Sequence, residues 1–306
     1  MRLFVLIVGL AVLVLGGAAV FGSSFSGPQV VQEIEESFAL QTGKELIVHG
    51  SNGSVTYEGW NGDEVVITAV KESSALTRGL AQRVADRVRV ELTQDERGVR
   101  AIERRGVDFL LFGQVSIAYH VRVPYEWSGE VELRTSNGRI TASDLHGDAE
   151  LRTSNGAISV ERQSGSLSAH TSNGRVELAE VHGAVQVETS NGPIRVDGGT
   201  LERTGRLRSS NGPIHLYASL APQSAYDVRT SNGSVTLVLA EPDVQVDLST
   251  SNGGIELQTD VNVSEFDRNR LVGRIGDGSA RLGVRTSNGR ISLSVEENRD
   301  REGTSQ

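Results

Sequence analysis

Five arginines, Arg134, Arg152, Arg208, Arg229 and Arg285, each stand three residues before the Asn of a repeated Ser-Asn-Gly triplet. A guanidinium pairs bidentately with carboxylate or phosphate, so a row of them could grip an acidic polymer. His170, Glu188 and Ser249 hold the same position in other copies, and Glu177 and Glu256 lie nearby, which also fits an ordinary solvated face of mixed charge. After the triplets come Arg139, Arg175, Arg195, His215 and Arg290. These arginines are the candidate ligand-binding face.

Other chemistry is thinner. Asp144, Glu161 and Glu180 are carboxylates that lie near second turns of the repeats. Glycoside cleavage needs two such groups ~5 to 9.5 Å apart, and these do not stand out from surface charge. There is no Ser-His-Asp or phosphate-loop pattern, so no catalytic residue and no cofactor is expected. His146 and His182 occupy equivalent His-Gly turns 36 residues apart. Two coils of a stacked fold separate such residues by ~9.6 Å, too far for imidazoles that must each lie within ~2.1 Å of one zinc. With no cysteine in the chain, thiolate metal sites are excluded too.

The elements that carry these residues are repeats. The triplet asparagines are Asn52, Asn137, Asn155, Asn173, Asn191, Asn211, Asn232, Asn252 and Asn288, and from Asn137 the spacings run 18, 18, 18, 20, 21, 20 and 36. A period this short defines one small unit that must stack on its neighbours to bury its apolar side. Strand parity turns Leu133, Leu151, Ala169, Val187, Leu207, Val228, Leu248 and Val284 inward before the triplet. After it, the inward set is Ile140, Ile158, Val176, Ile194, Ile214, Val235, Ile255 and Ile291. The same parity points a threonine column inward, with Ser209 as its exception.

Two architectures fit. Asn-Gly between alternating strands is a strong hairpin signal, which allows a meander or propeller. In a β-solenoid each repeat is one coil, and like residues stack ~4.8 Å apart. Only the second gives repeated identity a reason at every position: an Asn amide ladder from Asn137 to Asn288, a Thr hydroxyl ladder, and Ile on Ile. The 36-residue gap is read as a degenerate coil around Gly276-Asp277-Gly278, with an insertion near residues 260 to 272.

Before the array, the chain loses the period. Residues 45 to 70 hold a repeat-like piece and a strand; Leu76, Leu80, Val84 and Val88 suggest an amphipathic helix over about 75 to 87. Alternating strands follow, the last from Gln114 to Val123 and ended by Pro124. At the start, Leu3 to Phe21 is an uncharged apolar run after Arg2. Nineteen residues can cross a ~30 Å bilayer core as a helix. A retained anchor is favoured over a cleaved signal, and the next basic residue, Lys44, leaves the bulk of the chain outside the membrane. A net charge of −9 argues against nucleic acid as a partner.

The motif T-S-N-G-x-I, with the section ending Ile117-Ala118-Tyr119-His120-Val121-Arg122-Val123-Pro124, resembles the bacterial putative-adhesin family, an adhesin-like domain of unknown function. The closing stretch from Gly273 to Gly289 is similar to that family's last coil. The resemblance spans residues 44 to 295 and implies a β-solenoid, typically outside the cytoplasm; it brings no catalytic residues.

The resulting expectation is an all-β chain: a parallel β-solenoid of 18- to 21-residue coils over 129–295, after an α+β section at 44–128, a linker at 23–43 and a transmembrane segment at 1–22, with a disordered tail at 296–306. Its expected role is non-catalytic binding or scaffolding in the bacterial cell envelope. The expected partners are the membrane, through the first segment, and an envelope glycan or envelope protein. The alternatives are an envelope-stress sensing partner of a membrane signalling system, a polysaccharide-active enzyme, and a secreted or periplasmic form after signal cleavage.

Overall fold

The computed structural model describes residues 28–39, 41–106 and 113–296. Residues 1–22, read above as a membrane anchor, lie outside the described residues, as does all of the tail beyond Glu296. Among the described residues no helix is long and apolar enough to cross a membrane. The chain divides into two compact units, Met1–Gln163 and Ser164–Gln306.

The first unit opens with β1 (Gln29–Phe38), β2 (Glu45–His49), β3 (Val55–Trp60) and β4 (Val65–Ala75). Helix α1 (Arg78–Asp86), β5 (Val88–Gln94), β6 (Gly98–Arg105) and β7 (Gly113–Pro124) come next. Two coils of the repeat follow, β8 (Glu130–Arg134) with β9 (Ile140–His146) and β10 (Ala149–Arg152) with β11 (Ile158–Ser164). One sheet runs β1-β4-β7-β3-β9-β11 and the other β5-β6-β2-β8-β10. The Asn52 coil (β2 and β3) pairs in parallel with the Asn137 coil on one side and with β6 and β7 on the other. Antiparallel β4 and β1 extend one sheet, and antiparallel β5 ends the other.

Two readings are corrected here. The segment read as a linker contains β1, a ten-residue strand held to β4 by backbone pairing. Only Val30 and Phe38 of it are buried, so it carries no alternation to betray it. The helix begins at Arg78, capped by Thr77 Oγ1, which accepts from Leu80 N at 3.2 Å. Leu76 falls outside it and is 72% exposed. At the other end, buried Lys71 donates from Nζ to the carbonyls of Ala85 and Val88, both at 2.9 Å, placing a cation against the negative end of the helix dipole.

The second unit contains β12 (Leu167–Thr171), β13 (Val176–Gly183), β14 (Val185–Thr189), β15 (Ile194–Leu201), β16 (Thr204–Ser209) and β17 (Ile214–Leu220). It continues with β18 (Ala225–Thr230), β19 (Val235–Leu239), β20 (Val244–Thr250) and β21 (Ile255–Gln258). It ends in β22 (Asn262–Asp267), β23 (Arg270–Ile275), β24 (Ala280–Thr286) and β25 (Ile291–Val295). The sheets run β13-β15-β17-β19-β25-β21 and β12-β14-β16-β18-β24-β20-β23-β22. The coils are parallel and in register, Ile194 on Ile214 on Val235 on Ile291. Each is a rung of a solenoid.

The order of the last rungs departs from the chain. The final coil, β24 and β25, is seated between the Asn232 coil and the Asn252 coil. Residues 260 to 275 are an antiparallel hairpin, β22 and β23, alongside β20. Gly276 and Gly278 (φ 66° and 76°) form a turn, with Gly278 N donating to Asp243 Oδ1 at 2.5 Å. No degenerate coil exists there.

The triplet turns from Asn137 onward share a common construction, whereas the Asn52 turn has Gly50 in the Thr place. The hairpin reading needs φ > 0 at Asn, but none of the triplet asparagines adopts it. Instead Ser and Asn amides donate to the Ser carbonyl of the neighbouring coil, as Ser190 and Asn191 do to Ser172 O at 3.2 and 3.0 Å. The Thr hydroxyls do not form a ladder with one another. Thr189 Oγ1 accepts from Gly192 N in its own coil (3.2 Å) and donates to Gly174 O in the next (3.1 Å). Ser209 makes the same two bonds, at 2.8 and 3.0 Å, so a hydroxyl is all the position requires. The Gly is needed for closeness: a Cβ on Gly192 would stand 1.7 Å from Gly174 O.

Both inward sets are buried, with Ile255 half-buried because its strand ends a sheet. Each buried Leu, Ile or Val contributes about 1.5–3 kcal/mol relative to exposure. The Asn side chains, by contrast, form exposed rows: Asn137 to Asn52 and Asn155 to Asn137 in the first unit, at 2.6 and 2.7 Å.

Candidate functional site

The arginines fall into two groups. In the first unit Arg134 is neutralised by Glu132 at 2.6 Å and Glu150 at 3.1 Å, and Arg152 by the same Glu150 at 3.1 Å. Glu132 also pairs with His49 Nε2 at 2.5 Å. These guanidiniums already have their carboxylates.

In the second unit the register of β16, β18 and β24 lines up Arg208, Arg229 and Arg285 in adjacent strands, ~4.8 Å apart. Arg285 joins the row only because β24 is seated out of chain order. Its Nε donates to Ser249 Oγ at 3.2 Å, a neutral partner. Arg208 has no ion pair among the described residues. Arg229 shares Asp227 (2.8 Å) with Arg206 (3.7 Å). Exposed Arg281 lies on the same outward side of β24. Beside Arg208 stands Glu188, turned toward His170 at 3.8 Å. The patch therefore sets Arg206, Arg208, Arg229, Arg281 and Arg285 against Asp227 and Glu188. Gly283, the outward residue between Arg281 and Arg285 and opposite Asp227, keeps the surface low there.

Sequence reasoning missed Arg206 and Arg281 as members. The signal for Arg206 was present, two residues before Arg208 on the same strand face; that for Arg281 depends on the threaded coil. On the other sheet, Arg175, Arg195 and Arg290 are each paired, with Glu177 (3.5 Å), Asp197 (3.0 Å) and Glu256 (3.1 Å). Burial, then the neighbouring Arg195 charge, pushes the His215 imidazole below its ordinary value.

The three carboxylates weighed for catalysis sit at corners. Asp144, Arg162 and Glu180 have left-handed backbones (φ 55°, 54° and 53°) where their strands bend. Arg162 donates to Asp144 at 2.7 and 3.0 Å and also pairs with Glu161. Its hydrogen bond holds the Asp144 carboxyl below the usual carboxylate range, opposite to what a general acid needs. His146 lies on β9 and His182 on β13. Among the described residues no group of three or more His, Asp or Glu could hold a metal ion.

Fold and turn chemistry define a class, a parallel β-solenoid built on stacked Ser-Asn-Gly turns and finished by antiparallel strands. Residues 44–294 match the Toastrack DUF4097 family, and the chain belongs to it. None of the curated proteins matches the sequence. Among solved structures the chain is similar to a putative adhesin from Parabacteroides distasonis, at 13% identity over 88% of this chain and 98% of that one, with a TM-score of 0.43. A putative adhesin from Bacteroides fragilis is 11% identical over 85% and 96% of the two chains, at a TM-score of 0.38.

Proposed function

We propose that this protein is an extracytoplasmic, non-catalytic binding or scaffolding module of the bacterial cell envelope that grips an acidic envelope polymer through Arg208, Arg229 and Arg285. The observation that carries the reading is the in-register row of three guanidiniums, of which only Arg229 has a carboxylate partner among the described residues. Arg208 and Arg285, without carboxylates, flank Arg229 in the row, and an added polyanion would neutralise them. The apolar run from Leu3 to Phe21, preceded by Arg2, supports a membrane anchor that holds the module outside the cytoplasm.

The test is a binding titration of the full chain in detergent micelles against polygalacturonate, with dextran as the uncharged control. Saturable binding that weakens with added salt is expected for the polyanion alone. Changing Arg208, Arg229 and Arg285 together to Ser should abolish it, while Arg134→Ser with Arg152→Ser leaves it within about twofold, since those two are already neutralised. Binding that survives the triple change, or capture of one envelope protein insensitive to it, would replace this reading with a sensor or scaffold.

A further inference from the structure

The first unit holds a cavity of about 380 Å³ lined by Gln29, Asn52, Glu72, Gln114, Val115 and Ser116. Its position follows from how the Asn row ends. Asn155 donates to Asn137 and Asn137 to Asn52, so these amides all point one way. Each bond polarises the next, and Asn52 is the last member. Its Oδ1 accepts from Asn137, but its Nδ2 has no partner among the described residues.

The next element in the stack is β7, which continues the backbone register without the triplet. Val55 faces Tyr119 on one side as it faces Ile140 on the other. A Cβ on Gly53 would meet Ile117 O at 2.1 Å, just as one on Gly138 would meet Gly53 O at 1.6 Å. Ile117 therefore takes the Gly place of a triplet and Ser116 takes the Asn place. Ile117 N donates to Asn52 O at 2.8 Å, so the main chain stays stacked. Serine carries a hydroxyl where asparagine carries a carboxamide, and the row stops one group short of a partner.

We infer that this cavity is a binding site for one ring of a neutral saccharide, whose hydroxyls continue the interrupted Asn row. The space lies within the usual size range of small-molecule sites, roughly 300–1,000 Å³. Its polar lining mixes a polarised donor at Asn52, two carboxamides at Gln29 and Gln114, a hydroxyl at Ser116 and one carboxylate at Glu72. A ligand there must give and take hydrogen bonds over short distances, which a polyhydroxylated ring does. Glu72 accepts from hydroxyls and repels anions, so the site differs in chemistry from the arginine row and does not depend on it. A single carboxylate is too few for a metal.

The full chain in detergent micelles is titrated calorimetrically with maltotriose, chitotriose and the acidic trisaccharide of galacturonate. Saturable binding of a neutral trisaccharide is expected, weakened about tenfold or more by Glu72→Gln, the loss of one hydrogen bond to a charged group. Ser116→Asn separates binding from folding. It continues the amide row beyond Asn52 and occupies the Asn52 donor, so it should raise the melting temperature while abolishing saccharide binding. The Arg208→Ser, Arg229→Ser and Arg285→Ser variant should bind the neutral sugar as well as the parent does. No saturable binding of either neutral trisaccharide would overturn the assignment. So would unchanged affinity in Ser116→Asn, or tighter binding of the acidic trisaccharide that Ser116→Asn removes.

Discussion

Asn288 donates from Nδ2 to Oδ1 of Asn232 at 2.7 Å, although 56 residues separate them. Asn252, which comes earlier in the chain, donates in turn to Asn288 at 2.8 Å. The last coil is thus clasped between two coils made before it. Among the described residues, strand β21 pairs only with β25, and β20 pairs with β24 and the β23 hairpin.

The clasp predicts where a core lesion will be felt. Ile291→Asp places a charge at a fully buried position of β25, a change that commonly costs more than about 3 kcal/mol. Amide exchange in 244–250 and 255–258 should then accelerate to near unfolded rates, while 185–189 and 194–201 stay protected. Retained protection at 255–258 would show that β21 holds without its one parallel partner.

Glycine spacing makes a second prediction. Gly192→Ala pushes a Cβ against the Gly174 carbonyl, which is backbone and cannot swing aside; the cost should be about 3 kcal/mol in urea unfolding. Gly254→Ala meets nothing within 4 Å and should stay within about 0.5 kcal/mol. Equal effects would mean that the triplet glycine serves conformation rather than contact.

Glu103 tests the finished end of the first stack. The Ser136 and Asn137 amides donate to Ser51 O, but Ser51 itself has no triplet coil beyond it. Its N–H donates instead to Glu103 Oε2 at 2.7 Å, and that side chain is 1% exposed and paired with Arg105 at 2.5 Å. Glu103→Ala should destabilise the protein by about 2–4 kcal/mol, with Glu103→Gln recovering part of the loss by restoring an acceptor. Thermal melts of the three forms decide it.

Lys71 supplies a pH signature. Burial holds its ammonium below the ordinary lysine value, with Asp86 opposing in part. The native state then binds this proton less readily than the unfolded chain, so unfolding takes up a proton in the window below about 10.4. Stability from this group should rise as pH climbs through that window. Lys71→Met should lack the increment, seen as a flatter urea midpoint as the pH approaches about 10.4.

Much of the core was readable because strand parity needs no partner: Leu133, Leu207 and Ile214 face inward whichever coil stacks on them. Ile255 was read the same way and is half-buried only because its sheet ends there. Coil order was not readable for the same reason that the coils are. Every coil offers the same Thr-Ser-Asn-Gly edge or a close variant, so any one is complementary to any other and the Asn252-to-Asn288 spacing looks like a skipped repeat. Arg208 and Arg229 could be placed on one face, but Arg285 beside them could not. β1 stayed hidden because an edge strand paired through its backbone can carry Glu33, Glu35 and Glu36 without alternation.

The threaded coil also ties completion to delivery. In synthesis, and in any export that follows it, β20 and β21 emerge before the strands they must pair with, and they wait with open edges until β24 and β25 arrive. Closing that gap brings together residues far apart in the chain, a slow kind of step. A product cut short anywhere before Ile291 would keep an unmatched strand that proteases can seize. The coil of β24 and β25 thus completes the pairing of strands made before it.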